Sequence, residues 1–358
     1  MRLLHNYQRL FNEMEKIIKQ KNGALYGLAI GDALSWPAMF QRSFQLPFWT
    51  RRKRREMDAE AEINFTLNLT LPYSLNQNAD HFNLYPTNNT EWVAFTIQQL
   101  MEYGNKPNAG NWVDGWKSLI NPDRPLRASI AIKTALANLN KGKMPPESGH
   151  DNPHYFDDSA MSRAIPIGLL FHGDHEKLMN AIVMDASVTN SEDGIWAAQS
   201  IAVAVSIALK GGAIENIISN AIEVLPSNSW SKRVVTDALN ICDQSNSFFD
   251  ATPALTNQII NREYSYGSAA PETLAIVLSV IYFSQNSFEK AISMATTIGK
   301  TAETVPALVG ALAGALDPDA IDSKVWTNHL KQLKGISIPK MKNVNYIDLV
   351  NAFVNQSA

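Results

Sequence analysis

The chain holds one cysteine, Cys242, among 358 residues, so no internal disulfide can form and no thiolate cluster can bind zinc. That usage fits a reducing compartment better than secretion, and the expected location is cytoplasmic. Long apolar runs are also missing. Nowhere do 18 or more apolar residues follow one another, so no membrane-spanning helix is expected. Nor is there an excess of charge of one sign: 31 basic residues face 34 acidic ones, a formal net charge of −3. The chain as a whole therefore carries no field that would draw nucleic acid or an anionic membrane surface. Charged residues are scarce at 18%, while 45% of the chain is hydrophobic, a balance that excludes disorder and assures a sizeable core.

What the chain does have is helical periodicity. Near the N-terminus, Leu3, Leu4, Tyr7, Leu10, Phe11, Met14, Ile17 and Ile18 recur at three- and four-residue steps, which predicts an amphipathic helix over 1–20. Asn6, Gln8, Glu13 and Glu15 interrupt its apolar stretches, so it is not a signal-peptide core. The same spacing predicts helices near 23–34, 91–103, 128–140, 159–171, 175–186, 192–210, 213–224, 231–242, 271–284, 287–298, 303–315 and 344–354. Gly211-Gly212, Pro226, Pro271 and Pro318 fall at their boundaries. The exception is 41–90, where Ile63, Phe65, Leu67 and Leu69 alternate with polar residues and predict a partly extended insertion with one short strand. Without a linker, a composition shift or a repeat, 1–358 reads as one large all-α domain.

Two glycine pairs, Gly27/Gly31 and Gly310/Gly314, resemble phosphate loops only superficially. Both lie inside alanine-rich helical runs and follow no strand, so their expected use is close helix packing. The run Arg51-Arg52-Lys53-Arg54-Arg55 reads as a solvated turn, with a local polyanion contact, or a localisation signal in a nucleated source, as the alternatives. The seven histidines are scattered and offer no ligand spacing; His172 and His175 flank a predicted turn. Phe40, Phe44, Phe48 and Trp49 read as packing residues or an aromatic wall.

Four segments carry more. The first is Gly23-Ala24-Leu25-Tyr26-Gly27-Leu28-Ala29-Ile30-Gly31-Asp32, and the second is Thr87-Asn88-Asn89-Thr90-Glu91, opening a helix. The third is Asp157-Asp158-Ser159-Ala160-Met161-Ser162-Arg163, and the fourth is Gly299-Lys300-Thr301-Ala302-Glu303-Thr304 before an apolar helix. With Thr189-Asn190 between the last two, their order and spacing over about 20–320 resemble the ADP-ribosylglycohydrolase family, also called the dinitrogenase-reductase-activating glycohydrolase family. The resemblance implies an all-α orthogonal bundle that cleaves the glycosidic bond of ADP-ribose on a protein or a small nucleotide-sugar acceptor, with two magnesium or manganese ions. It also implies that Asp157, Asp158, Ser159, Ala160, Met161 and Asn190 bind substrate. Thr87, Asn88, Asn89, Thr301, Glu303 and Thr304 stand at the family's metal positions.

There the chain departs from the family pattern. The expected Thr-Asp-Asp is Thr87-Asn88-Asn89, and the expected Asp-x-Asp-Thr is Thr301-Ala302-Glu303-Thr304, so four cage carboxylates become one. A glutamate common in the first motif's tail aligns with Met39, and the family's Thr-His aligns with Thr189-Asn190. Each lost charge is worth about 4 kcal/mol of attraction at 4 Å and an effective dielectric of 20, so metal here is expected to be weak, single or absent. Three readings follow. The chain is a hydrolase with an altered site using Glu303, Asp32 or Asp157 for acid/base work, or a silent member that binds a nucleotide sugar, or a purely structural relative.

Overall fold

A computed structural model of the protein describes residues 2–42, 85–103, 109–121, 123, 126–264, 266–321 and 328–357. The insertion expected over 41–90 lies almost wholly outside these residues, and so do the Arg51–Arg55 run, Phe44, Phe48 and Trp49 and the side chains of Met39 and Phe40.

The first element differs from the reading of two helices over 1–20 and 23–34. It is one helix, α1, over Arg2–Arg42. Nothing at Lys21-Asn22-Gly23 stops it: an interior glycine costs a helix only about 1 kcal/mol. Gly23 has a tertiary use, because a Cβ there would stand 2.2 Å from the Gly314 carbonyl oxygen.

The longer helices that follow fall where the periodicity placed them, apart from those over Ala109–Lys117 and Phe248–Ala254, which it did not indicate. They are α2 (Asn88–Tyr103), α3 (Ala109–Lys117), α4 (Ile130–Asn140), α5 (Met161–Leu170), α6 (His175–Ala186) and α7 (Asp193–Ala208). Then come α8 (Ile214–Glu223), α9 (Trp230–Asp243), α10 (Phe248–Ala254), α11 (Ala270–Ser284), α12 (Phe288–Ala295), α13 (Val305–Leu316) and α14 (Tyr346–Gln356). Side chains of Ser129, Asp174, Ser229, Ser247, Ser287 and Asn345 accept from first-turn amides and so fix the starts of α4, α6, α9, α10, α12 and α14. Among the described residues the only strand-like pairings are single bridges, Asp157 with Ala269 and Gln332 with Asn345, so the fold is all-α.

Three apolar helices, α7, α11 and α13, are buried over nearly their whole lengths and form the centre. α13 packs on α1, α12, α11, α7 and α5, and α7 on α5, α6, α8, α9 and α11. The α1/α13 seam is the closest. Gly27 and Gly310 face each other so that a Cβ on either would come within 2.2 or 2.1 Å of the other's carbonyl oxygen, which confirms the close-packing use of the glycine pairs. On the other side, the buried Glu91 carboxylate accepts from the amides of Ile336, Ser337 and Ile338 at 2.7, 2.8 and 2.9 Å and ties the C-terminal segment to the start of α2. No helix among the described residues is long and apolar enough to cross a membrane.

Candidate functional site

The four motifs meet because each ends at, or opens, a helix in the same place. Asp32 sits on α1 one residue past Gly31, whose missing side chain lets α13 approach at Pro306. The buried Asp32 carboxylate reaches across to the start of α2. It accepts from the Thr87 and Thr90 amides at 2.6 and 3.0 Å, from their hydroxyls at 2.8 and 2.7 Å, and from Asn89 Nδ2 at 3.3 Å. Asp32 thus caps a helix 55 residues away in the chain. With its lone pairs engaged by five donors, the residue expected as an acid/base candidate is placed as an anchor.

From that anchored turn the second motif reaches the fourth. Asn88 Nδ2 donates to Glu303 Oε1 at 3.0 Å, and Asn89 Nδ2 donates to the Glu303 carbonyl at 2.9 Å. Glu303 and Thr304 lie in the turn that opens α13, both with side chains toward the shared space, whereas the Thr301 hydroxyl turns back to the Ile298 carbonyl at 3.3 Å. Thr301 is therefore in the motif but not at its meeting point.

The third motif enters from the opposite wall. Asp157 caps the short 3-10 turn Asp158–Ala160 by accepting from the Ser159 amide at 3.1 Å, and it also accepts from Asn190 Nδ2 at 3.0 Å. Asn190 is a buried hub, bonding the carbonyls of Tyr155 and Asp157 and accepting from the hydroxyls of Ser159 and Thr189. Ala160 and Met161, expected to bind substrate, have side chains buried in the hydrophobic cluster. Only their backbone can face the cleft.

Asp158 is the link between the walls. Thr273 Oγ1, in the first turn of α11, donates to it at 2.8 Å, and the Thr304 hydroxyl also bonds it. Burial, then the neighbouring carboxylates of Asp157 and Glu303, push its carboxyl up to about 7, against the opposing pull of the two threonines. The openings of α2, the Asp158 turn, α11 and α13 thus converge on one cleft, whose polar groups are the Asp158 and Glu303 carboxyls, the Thr273 and Thr304 hydroxyls and the Asn88 amide.

Several site-building residues had no signal in spacing. Arg163 is fully buried and donates to Asp185 at 2.8 Å, to the Ser159 carbonyl at 2.6 Å and to Thr189 Oγ1 at 2.8 Å, while lying over the Trp116 ring. It braces the third motif and the Thr189-Asn190 turn from behind. Glu272 accepts from the amides of Asn261 and Ala269 and from Lys300. It is the third residue of α11, where its carboxylate accepts from the N-cap amide of Ala269. A group of rings, His154, Phe156, Tyr264 and Tyr266, stands beside the Asp157-Asp158 turn. The Tyr264 phenol is raised by burial and by the Asp157, Asp158 and Glu272 carboxylates.

Comparison with known proteins bears on the family and the fold. The family profile for ADP-ribosylglycohydrolase matches residues 15–356. No curated protein sequence matches. Among solved structures, one described as an ADP-ribosylglycohydrolase-related protein complex superposes with a TM-score of 0.59 at 19% identity, covering 96% of this chain and 100% of that one. At that identity the likeness concerns the fold.

Proposed function

The chain belongs to the ADP-ribosylglycohydrolase family, and from that premise we propose that its cleft binds an ADP-ribosyl or related nucleotide-sugar compound and hydrolyses the glycosidic bond at the terminal ribose. The observation that carries this reading is the contact between the second and fourth motifs, Asn88 Nδ2 to Glu303 Oε1 at 3.0 Å, with Asp158 across the same space. At the anomeric carbon, water adds as the bond to the leaving atom breaks. Glu303 takes the proton from the water and stabilises the oxocarbenium-like transition state, while Asp158 donates a proton to the leaving atom.

The family's divalent pair does not fit this donor set. Hard cations need oxygen ligands. Here the amides of Asn88 and Asn89 turn N–H groups toward Glu303, the Thr87 hydroxyl is given to Asp32 and that of Thr301 to Ile298. Among the described residues no group of three or more His, Cys, Asp or Glu side chains is placed to hold a metal ion. The reaction is accordingly written through the carboxyl groups alone. We propose a cytoplasmic location on the single cysteine, which leaves no internal disulfide.

The amides at Asn88 and Asn89 also favour a second reading, a member that binds the nucleotide sugar without cleaving it. Release of ADP-ribose from arginine- and serine-linked ADP-ribosyl peptides decides between them. Under the hydrolase reading the unmodified protein releases ADP-ribose, and Glu303→Gln abolishes release while ADP-ribose still raises its melting temperature. Ligand-induced stabilisation with no release by the unmodified protein selects the binding reading. Unchanged turnover in Glu303→Gln removes the role given to Glu303.

A further inference from the structure

α1 is one helix over Arg2–Arg42, yet its two parts have different surroundings. From Gln20 and Lys21, both buried, it runs into the seam with α13. Before them it runs outward. Gln8, Arg9 and residues 11–16 are exposed, Ile17 and Ile18 are half-buried, and Lys19 pairs with Asp319 at the margin. The side chains of Gln8 and Arg9 bond along the helix itself, to Asn12 at 3.3 Å and Glu13 at 3.0 Å. Phe11 and Met14 stand 50% and 43% exposed. Helices in proteins owe most of their stability to the packing of an apolar face, so this outward part calls for a partner surface.

The order of the residues indicates which surface. The apolar positions 3, 4, 7, 10, 11, 14, 17 and 18 fall on one helix face at about 100° per residue. They are symmetric about the midpoint between Leu10 and Phe11, where 3 mirrors 18, 4 mirrors 17 and 7 mirrors 14. The stripe therefore reads the same in both directions, which is the self-complementarity that a two-fold interface between identical chains requires. The polar flanks follow the same symmetry. Positions Gln8 and Glu15 lie along one edge of the stripe, and Asn6 and Glu13 along the other. A two-fold axis through the midpoint brings each edge against itself, with Glu15 about 3 Å along the axis from Gln8 of the other copy and Glu13 equally near its Asn6. Each carboxylate thus faces a carboxamide, while positions Arg9, Asn12 and Lys16 lie on the opposite face.

We propose that the outward part of α1, residues 3–18, is a homodimer interface on which a second copy of this chain packs antiparallel. The paired stretch is about 24 Å long, so its area falls at the lower end of the roughly 1,200–2,000 Å² of specific interfaces. The dissociation constant expected for such a contact is on the order of 10 μM.

Sedimentation equilibrium of the full chain between about 1 and 100 μM tests the pairing. The mass is expected to rise from 39.6 kDa toward twice that value. Phe11→Glu combined with Met14→Glu holds it at the monomer value and leaves the melting temperature unchanged, because both side chains are exposed. Register is read by disulfide cross-linking, in which the native Cys242, being buried, does not compete. Antiparallel pairing sets position 14 level with position 7 of the other copy and about 10 Å along the axis from its position 14, too far for a disulfide. A mixture of Tyr7→Cys and Met14→Cys proteins therefore cross-links, and Met14→Cys alone does not. A monomer throughout the concentration range, a dimer that survives the double substitution, or self-linking of Met14→Cys overturns the proposal. So does a monomer that binds anionic phospholipid vesicles and loses them on the double substitution, which makes the stripe a lipid-facing helix. If the double substitution lowers the melting temperature, the cross-linking alone decides.

Discussion

Two regions built from the same pair of segments lie next to each other and are specified in opposite ways. Along the α1/α13 seam, Gly23, Gly27 and Gly31 meet Gly314, Gly310 and Pro306 with backbone against backbone. One residue beyond Gly31, Asp32 enters a polar cluster with Thr87, Thr90 and Asn89, and just before Pro306 the chain presents Glu303 and Thr304 to the cleft. The seam is defined by atoms that are missing, and any added Cβ meets the facing backbone first. The cleft is defined by partners that are present, drawn from four helix openings. An insertion into the seam moves two helices, whereas a deletion in the cleft leaves individual donors without acceptors.

That contrast orders the expected effects. Gly31→Ala comes first, because its Cβ would stand 1.8 Å from the Pro306 carbonyl oxygen and neither backbone can rotate away. The cost expected is about 3 kcal/mol of unfolding free energy, read from urea denaturation, with a parallel loss of ADP-ribose affinity as α13 carries Glu303 outward. A loss below about 0.5 kcal/mol would show that the helices do not meet there. Asp32→Ala comes second, at about 2 kcal/mol, since it uncaps α2 and strands the buried amides of Thr87 and Thr90. Asp32→Asn should recover part of that cost through its remaining acceptor oxygen. If Asp32→Ala leaves stability unchanged and removes activity alone, Asp32 is catalytic and the anchor assignment is wrong.

The seam was legible in the sequence and the anchor was not, and the reason is range. Glycines four apart declare a helix face that wants a close neighbour, whatever the neighbour is. Asp32 declares nothing, because its partners lie 55 or more residues away and beyond an insertion with no helical period. Periodicity placed nearly every helix after α1, yet it separated 1–20 from 23–34, because a glycine inside a helix and a glycine ending one read alike. The resemblance brought Asn88, Asn89 and Glu303 into one site, where their hydrogen bonds join them. It could not foresee that the Ala160 and Met161 side chains belong to the core, nor that Arg163 and Lys300, both inside the quoted motifs, act by bracing rather than by facing the cleft.

The amides that replace carboxylates at Asn88 and Asn89 make the proposal specific: an ADP-ribose-type ligand is to be bound through the threonines, Asp158 and Glu303, without a divalent ion. Calorimetric titration of the unmodified protein with ADP-ribose, once with magnesium present and once with a chelator, tests this most directly. The account predicts saturable binding with the same affinity in both conditions. Binding that occurs only with magnesium, or that strengthens tenfold or more (about 1.4 kcal/mol) when it is added, would contradict it.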